Sequence, residues 1–474
     1  MSELLQIQKP EAGSRKPQES SQPSTVADTF SRWGSQLLQS RWWPGIIQVP
    51  TLLVFLVIFY AAFFGPADPR RNFATVMSWI VWWPLLAVTY FVFGRIWCAA
   101  CPMITIGDFL QKYFSFRWKA PNFLKKRYLG AIVLLMAILY QAWVEEVTGA
   151  SYSPLVTGLI LLSFTAGAVI SDLLFERHVW CRYLCPLGAW IGVFSMSSIM
   201  EVRADKRVCE SAKCKGIYCY TGRDGQRGCA WINTPRTMAT NRYCSMCGDC
   251  FKACPHGSLS LRLRPPTREV EFNRKENFED AMSGVAAIGV VAFQGLVMLD
   301  FWHFVRSEWK DTAVFGSSPL VYGTAVLSMV LASVGLFLLA ALVHSRISGE
   351  PIRQNLSLFG FAFLPLVLMS HISHNLGMMT HQTHLILPAV AGLFGYQVEP
   401  DHLSTLLSPG AWHILHAGII LVGTAMTLWL IRRICRIKQE GGCPRYASLP
   451  YAGLAVAYTI AFFLILHPDM LLRV

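Results

Sequence analysis

Four closely spaced cysteines carry the clearest chemical pattern in this chain. Residues 244–255 read CSMCGDCFKACP, which places Cys244, Cys247, Cys250 and Cys254 at the spacing C-x2-C-x2-C-x3-C-P. This spacing wraps three thiolates around one [4Fe–4S] cluster and directs the fourth thiolate toward a second cluster. A structural zinc site is the alternative, but zinc sites commonly use two separated C-x2-C pairs and no trailing Cys-Pro. The run therefore predicts iron–sulfur chemistry, in which electrons move one at a time.

A second group of cysteines lies just upstream, with irregular spacing. Its members are Cys209, Cys214, Cys219 and Cys229. The two groups together supply enough thiols for two [4Fe–4S] clusters at four thiolates each. We expect Cys254 to join three upstream cysteines, and Cys229 to complete the site of Cys244, Cys247 and Cys250. Separate four-cysteine sites, one of them holding zinc, are the alternative that ligand chemistry leaves open.

Two further cysteine pairs occur where apolar segments end. The sequence GRIWCAACP contains Cys98 and Cys101, and RHVWCRYLCP contains Cys181 and Cys185. Both read Trp-Cys, a short gap and Cys-Pro, so they form an internal repeat. Offsets of three and four residues place both sulfurs of a pair on one helical face. The two pairs together predict a site for a third cluster or another metal at the membrane edge, and reduced thiols packed against the neighbouring tryptophans are the alternative.

Histidine pairs mark the second half of the chain. They are His371 with His374, His413 with His416, and a weaker pair in a loop, His381 with His384. An offset of three residues stacks two imidazoles on one helical face. Two facing helices would then hold a b-type haem by one histidine each, or a copper or zinc ion by three or four imidazoles. A quinone site, or histidines that only bond to water and lipid headgroups, are the remaining alternatives.

The elements that position these residues must cross a membrane. The chain of 474 residues is 53% hydrophobic and only 15% charged, with a mean hydropathy of +0.40. Apolar runs long enough to span a bilayer recur along it. We predict about nine spans, near 46–64, 73–93, 129–144, 154–175, 281–301, 318–343, 355–376, 411–431 and 449–467. The third of these is the shortest.

The spans divide the chain into four predicted parts. Residues 1–45 form a disordered polar tail without a signal peptide, followed by an amphipathic helix in the membrane interface or, alternatively, an unstructured lead-in. Residues 46–200 form a four-span half with both Cys-Pro hairpins, 201–266 an iron–sulfur segment, and 267–474 a five-span, histidine-rich half. The expected fold class is an α-helical polytopic membrane protein with an inserted cytoplasmic, ferredoxin-like α+β segment.

Basic residues near the spans predict which side each loop occupies. Lys and Arg are frequent in 94–128, 176–280 and 432–448, and absent from 145–153 and 377–410. Nine spans with a cytoplasmic N-terminus satisfy this pattern, except for an outer loop that contains Arg70 and Arg71. All 14 cysteines then face the cytoplasm, where thiols stay reduced, while most histidines lie on the outer side. The net charge of +13 reflects this topology, so no nucleic-acid partner is expected.

The cysteine motifs resemble those of membrane polyferredoxins of the NapH, NosR and CcoG type. The similar region covers roughly residues 46–265, and its motifs are GRIWCAACP, VWCRYLCPLGA and CSMCGDCFKACP. The resemblance implies a membrane-bound electron carrier with two [4Fe–4S] clusters. NapH- and NosR-type members are linked to passing quinol electrons toward periplasmic reductases, and CcoG-type members to copper reduction for oxidase assembly. The first pair departs from the family by its gap of two residues, and no outer loop is long enough for a NosR-type flavin domain.

The sequence therefore favours a multi-pass protein of the inner membrane that transfers electrons through two [4Fe–4S] clusters. Quinone is the expected lipid-phase partner and a redox protein the second partner, which would make the chain an oxidoreductase. One alternative is a cupric reductase of metal homeostasis, with copper at the outer histidines. Another is a non-enzymatic assembly or sensor subunit, whose clusters only stabilise the fold.

Overall fold

The structure, a computed structural model, describes residues 25–125, 147–211, 216–272, 278–309, 318–399, 406–439 and 444–466. Within these residues, seven helices are long and apolar enough to cross a membrane. They are Gly45–Phe64, Phe73–Phe93, Pro154–Leu174, Pro319–Ser348, Ile352–Gly392, Gly410–Ile437 and Tyr446–Leu466. The expectation of a mainly helical, multi-pass membrane protein is confirmed. The predicted third span, 129–144, lies outside the described residues, so the number of spans stays a prediction.

The first half consists of helices whose ends are set by capping side chains and prolines. They are α1 (Thr25–Gln39), α2 (Gly45–Phe64), α3 (Phe73–Phe93), α4 (Ile96–Ala100), α5 (Pro102–Tyr113), α6 (Pro154–Leu174) and α7 (Pro186–Phe194). The Asn72 side chain accepts a hydrogen bond from the N–H of Ala74 at the start of α3, and Ser153 caps α6 in the same way. Such caps satisfy backbone donors that the first helical turn leaves without a partner.

The inserted segment is a small α+β unit built on two antiparallel strand pairs. Strand β1 (Met200–Ala204) pairs with β4 (Leu259–Leu263), and β2 (Gly222–Arg223) forms a hairpin with β3 (Gln226–Arg227). Among the described residues, the helices between β1 and β4 are α8 (Lys206–Ser211), α9 (Tyr218–Thr221) and α10 (Asp249–Ala253). The pairing of β1 with β4 brings the two ends of the segment together, as an insertion between membrane helices requires.

Buried arginines fix the insert to the membrane half. Arg264 donates from Nε to the carbonyl O of Ser198 (2.9 Å) and from Nη1 to Glu269 Oε2 (2.5 Å). Arg242 pairs with Asp280, in the first turn of the helix Phe278–Leu296. Each guanidinium offers several donors in a fixed fork, so one side chain holds several backbone and carboxylate groups at once.

Helix α1 packs against the insert. Ser31 Oγ donates to the carbonyl O of Leu261 in β4 (2.5 Å), and beyond the helix Trp43 Nε1 donates to the carbonyl O of Met246 (2.9 Å). The opposite face of α1 leaves Trp33 exposed. A helix is therefore present in this region, from Thr25 to Gln39. Its contact with the membrane interface stays a prediction that this exposed face supports.

The second half packs around one central helix. Its elements are α11 (Arg268–Phe272), α12 (Phe278–Leu296), α13 (Asp300–Trp309), α14 (Ser318–Ser348), α15 (Ile352–Ala362), α16 (Leu364–Gln382), α17 (Ile386–Gly392), α18 (Pro409–Gln439) and α19 (Leu449–Leu466). Most side chains of α12 are buried against α14, α15 and α16. Helix α12 corresponds to the predicted fifth span, 281–301, but it ends at Leu296 and is not among the seven apolar helices. Glu279, Asp280 and Gln294 lower its hydropathy.

The loop before α3 contacts the loop after α17. Arg71 lies 3.6 Å from Asp68 and forms an ion pair with Glu399. A Cβ added at Gly392 would lie 2.4 Å from the carbonyl O of Arg71, so the two backbones touch. This end of α3 is opposite to the end that leads into Cys98. The basic loop that did not fit the predicted topology is thus paired with an acidic residue of another predicted outer loop.

Candidate functional site

The cysteine run folds as a tight loop followed by a short helix. Met246 (φ +58°) and Gly248 (φ +82°) adopt the left-handed conformation, which lets the chain turn back on itself. A Cβ at Gly248 would lie 2.3 Å from the carbonyl O of Leu38, so the close approach of the N-terminal segment also requires glycine. Helix α10 then carries Cys250, and Cys254 follows it in an extended conformation.

Four cysteines meet at one cavity, which we call the proximal thiol site. They are Cys229, Cys244, Cys247 and Cys250. Burial raises the pKa of the Cys250 thiol well above its usual value, and the charges of the other three cysteines add to this effect. The structure therefore places Cys229, the predicted fourth ligand, beside the three cysteines of the run.

Arginines lie near the proximal thiol site. Burial raises the pKa of Cys244 to about 11, while Arg203 and Arg95 act in the opposite direction. Arg227 likewise favours the thiolate of Cys247, whose pKa burial raises. Metal ligation requires deprotonated thiols, and buried anions require nearby positive charge. The donor set and its cationic surroundings thus fit an anionic, thiolate-bound iron–sulfur cluster.

A second cavity in the insert defines the distal thiol site. Its cysteines are Cys209, Cys219 and Cys254. Ser258 Oγ lies 3.4 Å from the sulfurs of both Cys209 and Cys254. Burial, followed by the charges of Cys254 and Cys209, raises the pKa of Cys219 to about 11. Cys214, the remaining predicted ligand, lies outside the described residues.

The two Cys-Pro hairpins bring their cysteines together at the membrane-edge thiol site. Cys101 and Cys185 are both extended, and each precedes a proline that begins the next helix, α5 or α7. A residue before proline avoids the helical conformation, so this dipeptide makes the sharp bend in both hairpins. Burial raises the pKa of the Cys181 thiol, and the charges of Cys185, Cys101 and Cys98 contribute. All four predicted thiols are therefore close to one another.

Arg95 and Trp231 lie between the membrane-edge and proximal thiol sites. Arg95 Nη2 is 3.7 Å from Cys98 Sγ and 3.5 Å from the carbonyl O of Cys181. Its guanidinium carbon lies 4.3 Å from the centre of the Trp231 ring. Trp231 is in one apolar cluster with Cys98 and Cys181, and it also lines the proximal cavity. Sequence reasoning gave neither residue a role. Arg95 lies three residues before Cys98 in GRIWCAACP, whereas only the fold brings Trp231 to the cysteines.

A network of charged groups runs from α6 toward the proximal thiol site. His178 Nδ1 lies 3.5 Å from Asp172 and its Nε2 lies 3.1 Å from Asp108. Arg227 pairs with Asp108 and, at 2.7 Å, with Asp249. Burial lowers the pKa of His178, but the hydrogen bonds and charges of Asp108 and Asp172 outweigh it and raise this pKa to about 9. His178 is therefore protonated at neutral pH, a feature that no motif indicated.

The histidine pairs lie on α16 and α18, in surroundings that the sequence did not indicate. His416 Nδ1 is 2.6 Å from Ser373 Oγ. The ring of His371 lies 5.3 Å from that of Trp190 and 6.4 Å from that of Tyr90, which is three residues before the end of α3 that leads to Cys98. His371 therefore lies nearer the thiol sites than the predicted position at the outer side.

Among the described residues, no group of three or more His, Cys, Asp and Glu side chains could hold a metal ion. This result adds no support for a copper or zinc site at His371, His374, His413 and His416, which stays a prediction. His371 contacts Trp190 on α7, whereas His416 contacts Ser373 on α16. A haem at these histidines stays a prediction. A [4Fe–4S] cluster keeps its thiolates further apart than a single ion does, and the cysteines are arranged around cavities.

The described part of the fold has seven helices that could cross a membrane, and its thiol sites are similar to those of iron–sulfur proteins of the ferredoxin type. A family profile described as "4Fe-4S binding domain" matches residues 75–121 and 157–197. These stretches contain the two Cys-Pro hairpins and not the 244–255 run. The two matched stretches agree with the internal repeat of the sequence.

Three similar proteins are named as ferredoxin-type or electron transport proteins. They are the ferredoxin-type protein NapH of Escherichia coli (25% identical over 198 residues), the putative electron transport protein YccM of the same organism (27% over 195) and the methylamine utilization ferredoxin-type protein MauN of Methylobacillus flagellatus (28% over 145). The matches cover 38%, 35% and 28% of this chain, and 66%, 50% and 49% of these relatives. No solved structure matches the chain. The resemblance to membrane polyferredoxins of the NapH type is confirmed.

Proposed function

We propose that the protein transfers electrons between the quinone pool of the membrane and a redox protein, through three [4Fe–4S] clusters. The observation that carries the proposal is the series of buried thiol sites, from the ends of α3 and α6 into the insert. The membrane-edge thiol site would hold the third cluster. The family profile supports this assignment, because its two matched stretches contain these four cysteines.

Contacts between neighbouring sites support the transfer of electrons along the series. Trp231 packs with Cys98 and Cys181 and lines the proximal cavity. Phe251, on α10, lines the proximal cavity and packs in one apolar cluster with Cys219. Each pair of adjacent sites therefore shares a buried aromatic side chain, which supports electron transfer between them.

The distal thiol site is the place where a redox protein would exchange electrons. Pro255 and His256 line its cavity and are exposed. Oxidation of one quinol releases two electrons and two protons, and each [4Fe–4S] cluster accepts one electron. Two clusters held by these cysteines would therefore take the two electrons of one quinol, and its two protons would pass to solvent. The reverse reaction reduces one quinone with the same balance.

Anaerobic mixing of the reduced protein with a quinone tests the proposal. Full-length protein in lipid nanodiscs is reduced, freed of excess reductant and mixed with decylubiquinone in a stopped-flow instrument. We expect the visible absorption of the oxidised clusters to return, with one quinone reduced for every two clusters oxidised. A Cys181→Ser variant should lose this fast reaction, whereas Cys435→Ser, a buried thiol on α18, should keep it. Clusters that stay reduced in the presence of quinone would contradict the coupling.

The same stopped-flow experiment distinguishes the other functions predicted from the sequence, because each predicts a different response to added oxidant. A cupric reductase would oxidise its clusters with Cu²⁺ in the absence of quinone, and an assembly subunit would react with neither oxidant. A haem b held by histidines would add a sharp band near about 560 nm in the reduced spectrum. The arrangement of the histidines favours neither copper nor haem.

A further inference from the structure

A large cavity lies between the first membrane helices and ends at the membrane-edge thiol site. It has a volume of about 320 Å³ and is lined by α2, α3 and α6 together with all four cysteines of that site. Ligand pockets in proteins commonly have volumes of about 300–1,000 Å³. We infer that this cavity binds the head group of an isoprenoid quinone. The inference deepens the proposed electron transfer and rests on it.

The walls of the cavity are apolar and aromatic. Phe55, Leu161 and Phe164 belong to them. Walls of this kind remove a flat apolar ring from water, and few polar groups are needed to orient it. A quinone combines such a ring with an isoprenoid tail, so the lining suits both parts of the molecule.

One hydrogen-bond donor beside the cavity has no partner among the residues that the structure describes. The indole Nε1 of Trp180 is buried, and no described residue accepts from it. A buried donor without an acceptor costs about 1–3 kcal/mol, so it calls for an explanation. Gly167 allows the ring to lie there, since a Cβ at this position would be 2.5 Å from the Trp180 ring. A quinone has two carbonyl acceptors and no donor, and one carbonyl oxygen would satisfy Trp180.

The rim of the cavity allows access from the lipid. Val54 and Leu85 belong to its lining and are 43% and 42% exposed in the described structure. A quinone dissolved in the bilayer can therefore approach between α2 and α3. At the other end, its ring would lie against the sulfurs of the membrane-edge thiol site. A lipid acyl chain also suits the walls, but it has no acceptor for Trp180 and no reason to lie at a redox centre.

Photolabelling locates the quinone independently of turnover. Full-length protein with its clusters, in phosphatidylcholine nanodiscs, is irradiated with a short-chain azidoquinone, and the adducts are mapped by mass spectrometry. Adducts should fall on α2, α3 and α6, and decylubiquinone should compete with them. Adducts confined to other helices, or protection by added phospholipid alone, would overturn the site.

Two variants test the lining, each with a matched control. Trp180→Phe removes the donor but keeps the ring, so about tenfold more decylubiquinone should be needed for competition, as the loss of one hydrogen bond predicts. Trp302 is the matched control, because its indole N–H also has no partner among the described residues and it lies in a separate apolar cluster. Trp302→Phe should leave the decylubiquinone concentration needed for competition unchanged. Leu161→Trp fills the cavity and should abolish labelling, whereas Leu331→Trp, on an exposed face of α14, should not.

Iron content, measured in every variant, shows whether the clusters are retained. Equal competition by Trp180→Phe and Trp302→Phe with intact iron would overturn the site. If quinone oxidises the clusters equally in all variants, the site is wrong but the proposed function stands. If the cavity is labelled but the clusters are never oxidised, the site stands and the proposed function is wrong.

Discussion

The thiols of this protein are buried in surroundings that oppose their ionisation. Burial, followed by the charge of Cys98, raises the pKa of Cys101 to about 12, and Cys185 is affected in the same direction. Ligation by iron reverses this preference, because the bound metal stabilises the thiolate. The arginines near the thiols also stabilise thiolates, as Arg95 does by lowering the pKa of Cys185. These residues therefore suit metal ligation better than thiol chemistry at neutral pH.

The ligand role of Cys247 can be tested by one substitution. Cys247→Ser removes a thiolate from the proximal thiol site, so we expect the loss of one cluster signal and of about four irons per chain. Cys435→Ser serves as the control, because Cys435 is buried outside the three thiol sites. Iron measured by mass spectrometry decides the outcome. Unchanged iron in Cys247→Ser would show that the assignment of the proximal thiol site is wrong.

The buried imidazolium of His178 predicts a pH-dependent stability. The pKa of His178 is raised from 6.5 to about 9, with Asp108 and Asp172 as its partners and Arg227 beyond Asp108. A raised pKa contributes stability that is complete below about pH 6.5 and is lost as the pH rises through about 9, on the order of 3 kcal/mol in total. We expect the melting temperature to fall across this range, and His178→Gln to have a lower and flatter profile.

The control for this prediction is His384→Gln. The imidazole Nδ1 of His384 lies 3.1 Å from the carbonyl O of His381, away from the charged network. Its melting temperature should follow that of the unchanged protein at every pH. If the melting temperature of His178→Gln also falls with pH in parallel with that of the unchanged protein, His178 is not the titrating group.

Among the elements, the N-terminal helix and the cysteine loop depend on each other. Gly248 lets the loop approach Leu38, and Lys252 donates to the carbonyl O of Trp43. Trp43 in turn bonds to Met246, between the first two cysteines of the run. The segment after α1 therefore holds the loop that carries three cysteines of the proximal thiol site.

Adjacent tryptophans allow a matched test of this contact. Trp43 is 5% exposed and Trp42 is 67% exposed. Trp43→Ala should lower the free energy of unfolding by about 3–5 kcal/mol. Because the cysteine loop is then held less firmly, the visible absorption of the clusters should bleach faster in air. Trp42→Ala should bleach at the rate of the unchanged protein. Equal rates for both variants would mean that this segment does not protect the cluster.

The sequence predicts those parts of the site that depend on local spacing. The run from Cys244 to Cys254 and both Cys-Pro hairpins follow from residue offsets and from the preference of the residue before proline. The places of Trp231 and His178 could not be predicted, because their partners come from elements far apart in the chain. The surroundings of His371 could not be predicted for the same reason, since its ring lies against Trp190 of α7.

At the scale of the whole molecule, the two ends of the helix bundle differ in chemistry. The thiol sites and α1 lie at one end, whereas the loop with Arg71 contacts Glu399 at the other. The basic-residue pattern predicts that the thiol end is cytoplasmic. The ion pair of Arg71 also explains how this arginine lies in a predicted outer loop, because its charge is compensated there.

An impermeant maleimide tests this orientation in intact cells. If all cysteines face the cytoplasm, the unchanged protein should take up no label. Tyr396→Cys places a thiol at a strongly exposed position of the loop with Glu399 and should be labelled. Arg262→Cys, exposed on β4, should gain label only after permeabilisation. Labelling of Arg262→Cys in intact cells would reverse the orientation.

The presence of clusters at the buried thiols is the claim on which the proposed electron transfer depends. The electron paramagnetic resonance spectrum of the reduced full-length protein, quantified against iron and acid-labile sulfide, tests it most directly. We expect signals of reduced [4Fe–4S] clusters, with iron and sulfide in about equal amounts. Purified protein that contains zinc alone, with no such signal after reduction, would contradict it.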